Sequence, residues 1–185
     1  MMPAAAGLDV AWGQGWNVLA GPETQGQRIR LEGIILDGTD SVVRDAMIEI
    51  WQADGHGRYP HPEDRQDKPG DGNFHGFGRT VADLQTGLWW FDTVKPGAVQ
   101  GRHGTEMAPH VNVAIFARGI NIQLNTRIYF ADEAEANAKD PVLRLVEQEK
   151  RRDTLLARLE ERQEQPVYRF TVHLQGEQET VFFDV

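Results

Sequence analysis

At 185 residues the chain has room for one domain, since about 150 residues already bury about 70% of their unfolded surface around a single core. Its 28 acidic and 19 basic residues give a net charge of −9, which argues against nucleic acid or an anionic membrane as partner, because both need basic surface. Cysteine is absent, so disulfides, thiolate metal sites and a thiol nucleophile are excluded, and a cytoplasmic location is expected.

The opening Met1-Met2-Pro3-Ala4-Ala5-Ala6-Gly7-Leu8-Asp9 has neither a charged start nor a long apolar run, so the chain reads as soluble and unsecreted. Residues 1–27 are rich in Gly, Ala and Pro and carry Trp12 and Trp16 without a period; they are expected to form an arm that docks onto something, with residues 28–185 as the domain. Strand pattern begins at Ile29 and Leu31 and runs through Ile34-Ile35-Leu36 to the turn-forming Asp37-Gly38-Thr39-Asp40. Met47-Ile48-Glu49-Ile50-Trp51 is the next expected strand. From Gln52 to Asn73 almost nothing is apolar, the mark of a long surface loop of the kind that carries function. Further strands are expected over Phe74 to Val81, Leu88 to Phe91, Val111 to Phe116 and Thr126 to Phe130. Ala134, Ala136 and Ala138 favour helix. Asp140-Pro141 reads as an N-cap and first helical position ahead of Val142, Leu145 and Val146. Asp153 is expected to cap another helix, with Leu155, Leu156 and Leu159 inward and Arg158, Glu161 and Arg162 wet. Strand pattern returns over Tyr168 to Leu174 and Thr180 to Phe183. The sum is an all-β fold, an antiparallel β-sandwich with a helical excursion near residues 132–163.

The densest chemistry sits in Pro109-His110-Val111-Asn112-Val113-Ala114-Ile115-Phe116-Ala117-Arg118. Strand alternation places Val111, Val113 and Ile115 on one face and His110, Asn112, Ala114, Phe116 and Arg118 on the other. A His-X-His pair at this spacing would set two imidazoles side by side for a transition metal. Here the second position is Asn112, whose neutral amide is a weak ligand for ferric iron, so a hydrogen-bonded His and Asn is the plainer reading. The long loop supplies Asp54, His56, Tyr59, His61, Glu63 and Asp64, which read either as metal candidates or as a solvated loop. No His-Glu-x-x-His or Gly-x-Ser-x-Gly motif occurs, and Gly76-Phe77-Gly78 lacks the rest of a dinucleotide fingerprint.

Several ordered motifs resemble those of the intradiol ring-cleaving dioxygenases: Leu31-Glu32-Gly33, Asp37-Gly38, Glu49-Ile50-Trp51-Gln52-Ala53-Asp54 and Gly57-Arg58-Tyr59. Val94-Lys95-Pro96-Gly97, Ala108-Pro109-His110, Phe116-Ala117-Arg118-Gly119-Ile120-Asn121-Ile122, Arg127-Ile128-Tyr129-Phe130 and Gly176-Glu177-Gln178-Glu179-Thr180-Val181-Phe182-Phe183 are similar to the alpha-type chains of that family's two-chain members. The likeness runs from about Gln27 to Val185 and implies the family's prealbumin-like sandwich.

In the two-chain members, the resemblance implies, a beta chain binds non-haem Fe(III) through two Tyr and two His. Those four positions fall on Tyr59, Val99, His110 and Asn112 of this sequence, so half of the ligand set is missing. One phenolate and one imidazole leave ferric charge uncompensated. The expectation is a chain that holds no metal and has no catalytic residues of its own, with Tyr59, Val99, His110 and Asn112 as vestigial metal-site positions. Its expected partner is a homologous beta subunit, and the complex acts on 3,4-dihydroxybenzoate and O2. Arg118 is the expected contribution to the substrate pocket or interface, its guanidinium suited to the substrate carboxylate; a plain ion pair with a carboxylate is the alternative. The segment before Trp16-Asn17 does not match the family's N-terminal arm. Two rival readings stay open: a self-sufficient dioxygenase with ligands rebuilt from His56, His61 or His103, and a non-catalytic β-sandwich interaction module.

Overall fold

A computed structural model of the chain describes residues 15–101, 104–160, 162 and 165–184. Trp12, His103 and Glu161 lie outside the described residues. The strands are β1 (Arg28–Leu36), β2 (Met47–Gln52), β3 (Phe77–Val81), β4 (Trp89–Val94), β5 (Val99–Gln100), β6 (Glu106–Met107), β7 (His110–Phe116), β8 (Leu124–Phe130), β9 (Leu156–Glu160) and β10 (Val167–His173). The helices are α1 (Ala134–Lys139) and α2 (Glu149–Asp153), with a single 3-10 turn at Leu143–Leu145 between them.

Eight strands form one ribbon in the order β3-β2-β7-β8-β9-β10-β1-β4, and β5 pairs with β6 apart from it. The ribbon folds over so that β3 and β4, at its two ends, lie against each other. Its two halves thereby enclose one core. Alternation supplies that core: Ile29, Leu31 and Ile35 from β1, Ile48 and Ile50 from β2, and Val111, Val113 and Ile115 from β7 all point inward and are buried with Phe91, Ile128, Phe130, Phe170 and Val172. On the outer face of β1, the buried Glu32 carboxylate is held by Arg162 at 2.8 Å and Arg169 at 3.0 Å. Glu32→Ala should leave both guanidiniums to the more exposed Glu160, which holds Arg162 at 3.2 Å and Arg169 at 3.3 Å, and cost about 1–2 kcal/mol, read in urea denaturation.

The sandwich stands, with corrections of detail. Most pairs are antiparallel, but β1 runs parallel to β10 and β8 parallel to β9. The helix expected after Asp153 does not form: Asp153 ends α2, and Leu156–Glu160 is β9, which joins the halves by pairing with β8 and β10. The Leu155, Leu156, Leu159 spacing fits a helix locally. The gap between β8 and β10 is what decides, because unpaired strand edges there would leave buried backbone groups without partners. Thr180 to Phe183 joins no ladder and is tied by Thr180 N–H to His173 O at 2.9 Å and Phe183 N–H to Asn125 O at 2.8 Å. The expected helix after Asp140-Pro141 shrinks to the 3-10 turn, although Asp140 does accept from the Val142 and Leu143 N–H groups, each at 2.8 Å. In the segment ahead of β1, Val18 bridges to Asp92 and Ala20 to Phe74, Leu19 is buried, and Trp16 meets Phe77 edge-on.

Candidate functional site

The outer face of the β2-β7-β8 sheet gathers the chemistry. Register sets Trp51 of β2 beside Asn112 of β7, with Arg127 of β8 on the other side. Two residues along the same face, His110 stands beside Tyr129. Tyr59 comes from the long loop, which turns back so that its ring stacks on Trp51, centroids 5.8 Å apart and planes 9° from parallel. A second small core of Ala108, Tyr129, Leu143 and Leu155 covers the sheet next to His110.

Carboxylates, more than apolar packing, hold that loop. Asp54 Oδ1 accepts from His56 N–H at 2.9 Å and Arg58 N–H at 3.0 Å, and its Oδ2 from Asp71 N–H at 2.9 Å. Asp64 accepts the Tyr59 N–H at 2.7 Å and the Gln66 side-chain amide at 2.8 Å. Burial pushes the Asp64 carboxyl upward, but these donors and Arg58 outweigh it and hold Asp64 below the usual carboxylate range. Gln66 also donates to Gly57 O at 3.1 Å and accepts from Gln100 N–H at 2.7 Å, and Lys68 donates to Ala98 O at 2.6 Å. The Tyr59 segment and the β5 strand bearing Val99 are thus tied together. Asp54→Ala should strand three backbone N–H groups in a largely buried setting and cost about 2–4 kcal/mol in denaturant; Asp54→Asn, which keeps one acceptor, should cost less.

At the centre, His110 is fully buried. Its Nδ1 lies 2.7 Å from Ala108 O, an atom that only accepts, so Nδ1 carries the proton and Nε2 is the acceptor. Tyr59 O–H donates to that Nε2 at 3.3 Å, and the Asn112 amide donates to the Tyr59 oxygen at 3.2 Å and to Trp51 O at 3.2 Å. Burial raises the Tyr59 phenol, with Asn112 and the Arg127 charge pulling the other way. Burial, helped by the Arg127 charge, lowers His110 to about 4. Both rings are neutral near pH 7.

This set does not fit a ferric ion. Of the four expected positions, Tyr59 and His110 satisfy each other, Val99 is a buried apolar residue of β5, and Asn112 spends its amide on Tyr59 and Trp51. Arg127 brings a permanent positive charge into the same face, where it acts on both Tyr59 and His110. Among the described residues, no cluster of three or more His, Cys, Asp and Glu suited to a metal occurs. His56 contacts Gln25 at 3.2 Å, and His61 Nδ1 accepts the Glu63 N–H at 3.1 Å. Arg118 lies past the end of β7, its side chain 90% exposed and paired with Asp45, and within this chain it is not gathered with His110 and Asn112. Sequence reasoning passed over Arg127 and Tyr129 as site residues. Their spacing of two, on the strand following the His110 and Asn112 pair, was the available signal.

A family model described as Dioxygenase matches residues 14–176, and the chain belongs to this dioxygenase family. It is 49% identical to the protocatechuate 3,4-dioxygenase alpha chain of Pseudomonas putida over 169 residues, covering 91% of this chain and 82% of the relative. Within the family it stands with the protocatechuate 3,4-dioxygenase alpha chains. It is also 36% identical over 144 residues to the protocatechuate 3,4-dioxygenase beta chain of Burkholderia cepacia, 77% of this chain and 60% of that one. Among solved structures, the dioxygenase domain of a dioxygenase carbohydrate-binding protein fusion from Streptomyces sp. SirexAA-E shares the fold, with a TM-score of 0.62 at 17% identity over 97% of this chain and 100% of that chain. No helix among the described residues is long and apolar enough to cross a membrane.

Proposed function

We propose that this chain is the iron-free alpha subunit of a two-chain protocatechuate 3,4-dioxygenase, working in the cytoplasm beside a homologous beta subunit that holds the non-haem Fe(III). The observation that carries this reading is the mutual satisfaction of Tyr59 and His110, which leaves no open donor set among the described residues. In the complex, 3,4-dihydroxybenzoate takes up both atoms of O2 and opens between its hydroxylated carbons to give 3-carboxy-cis,cis-muconate. The ferric ion activates the bound catecholate toward oxygen. This chain supplies interface surface and shields the substrate, and residues 28–185 are the body that does so.

The test is expression alone and with a beta chain. Alone, the chain should show neither bound iron nor oxygen uptake with 3,4-dihydroxybenzoate, and the co-purified pair should show both. Stoichiometric iron and turnover in the isolated chain would refute the proposal.

Arg118 is the residue proposed to reach the substrate pocket. Its guanidinium is exposed and suits the substrate carboxylate, whether in steering or in the bound state. In the reconstituted enzyme, Arg118→Ala should lower kcat/KM for 3,4-dihydroxybenzoate by about 10- to 100-fold, the loss of one charge-assisted contact of roughly 1.5–3 kcal/mol. Catechol, which lacks the carboxylate, should react unchanged, and iron content should hold. An unaltered kcat/KM would reduce Arg118 to its ion pair with Asp45.

A further inference from the structure

We infer that Arg127 is the resident cation of the vestigial site, and that its guanidinium bars a ferric ion from this face even when the two missing ligands are restored. The inference extends the family reading of positions 99 and 112 to a residue outside the ligand set.

Charge arithmetic supports it. A ferric ion balanced by two phenolates leaves one net positive charge, and neutral Tyr59, His110 and Asn112 with one guanidinium leave the same. With Asp140 common to both cases, the face therefore has the electrostatic balance of a loaded site without a metal. Arg127 stands directly across from Asn112 in the β7-β8 register, half-buried, with Nη1 3.8 Å from Met107 Sδ, and it interacts with the Tyr129 hydroxyl. Met107 is in turn the β6 partner of Val99. The guanidinium thus contacts the neighbour of one missing-ligand position and faces the other. Of the groups around it, Tyr59, His110, Asn112 and Tyr129 are uncharged. Asp140 already accepts from Ala108 N–H at 2.9 Å, from Val142 and Leu143 N–H at 2.8 Å each, and from Tyr129 O–H at 3.1 Å. Among the described residues no carboxylate is in ion-pair contact with Arg127; Asp140, the carboxylate that acts on His110 and Tyr129, stands on the far side of the Tyr129 hydroxyl it accepts from. A ferric ion would add its charge to that of Arg127 in a half-buried setting, where like charges are poorly screened.

The test restores the ligands with and without the guanidinium. In the full chain purified alone, Val99→Tyr with Asn112→His is combined with Arg127 retained, with Arg127→Lys, and with Arg127→Gln or Arg127→Ser. The last two are made in parallel, so that one folded arginine-free variant suffices. Each is dialysed against ferric ion and read by metal analysis and by visible phenolate-to-iron charge-transfer absorption. We expect background iron and no colour in the Arg127 and Lys variants, and about one iron per chain with a visible band when the charge is gone. Equal iron in the double variant and the arginine-free variants would overturn the inference, as would a folded arginine-free variant that stays iron-free. Neither result bears on the assignment to a beta-chain partner, which the co-expression experiment decides separately.

Discussion

Acidification from about pH 6.5 to about pH 4 should strip about 3 kcal/mol from the stability of the fold, with His110 as the source. An unfolded histidine takes a proton near 6.5, whereas buried His110 refuses one until about 4. Between those values the unfolded chain binds one proton more than the folded chain, so each step toward acid favours unfolding. Above the unfolded value both states are neutral there and the contribution is constant. Burial and the groups facing His110 explain the refusal: Tyr59 occupies Nε2, Ala108 O occupies Nδ1, Arg127 repels an imidazolium, and the Asp140 carboxylate is an insufficient counterweight. Carboxylates act in another window. Asp64, Asp71 and Asp132 are held below the ordinary aspartate value of 3.8, so their stabilisation is complete above that value and fades only below it. Urea midpoints recorded across this range should slope in the parent, and His110→Gln should flatten the segment between pH 6.5 and 4 while leaving the steeper fall below it. A parent curve flat from 6.5 to 4 would contradict the buried neutral assignment.

Gly57→Ala should destabilise the chain by about 3 kcal/mol or more and loosen the loop that carries Tyr59. Gly57 has φ +81°, and a Cβ there would lie 1.9 Å from Ala98 O and 2.9 Å from Lys68 Nζ. The oxygen belongs to backbone tied down by the Lys68 contact and by Gly97 N–H to Asp54 O at 2.9 Å, so it has little freedom to retreat. Gly119 provides the control: its φ is +82°, but a Cβ would meet nothing within 4 Å. Gly119→Ala should therefore cost only about 1 kcal/mol, the left-handed conformation by itself. The difference between the two substitutions isolates the close approach of loop and β5. Limited proteolysis should cut the residue 57–73 loop of the Gly57 variant faster, and near-ultraviolet dichroism should report a loss of Trp51-Tyr59 stacking.

The strands on the inner faces were legible because strict alternation of Ile, Leu and Val has one structural meaning when turn residues bound it. Residues Leu155 to Leu159 were not, because their spacing suits a helix and only the vacancy between β8 and β10 makes them a strand. Within the site, His110, Asn112 and Tyr59 could be named from motif order, and the structure brings both His110 and Asn112 within 3.3 Å of the Tyr59 oxygen. Arg127 was invisible as a site residue, since its position follows from the β7-β8 register and from nothing in its own neighbourhood. The organisation of the loop by Asp54 and Asp64 was equally hidden: carboxylates that cap backbone N–H groups look, in sequence, the same as carboxylates in water.

The parallel alliance of β1 with β10 dictates when this protein becomes complete. As the chain leaves the ribosome, β1 has β4 for one neighbour early, but its other flank finds its mate only after β10 has been made. Until then a naked strand border faces solvent, open to unwanted pairing and to chaperones that hold such borders. Closure over so long a sequence separation is slow, so association with a second subunit belongs after translation, when the border has been sealed.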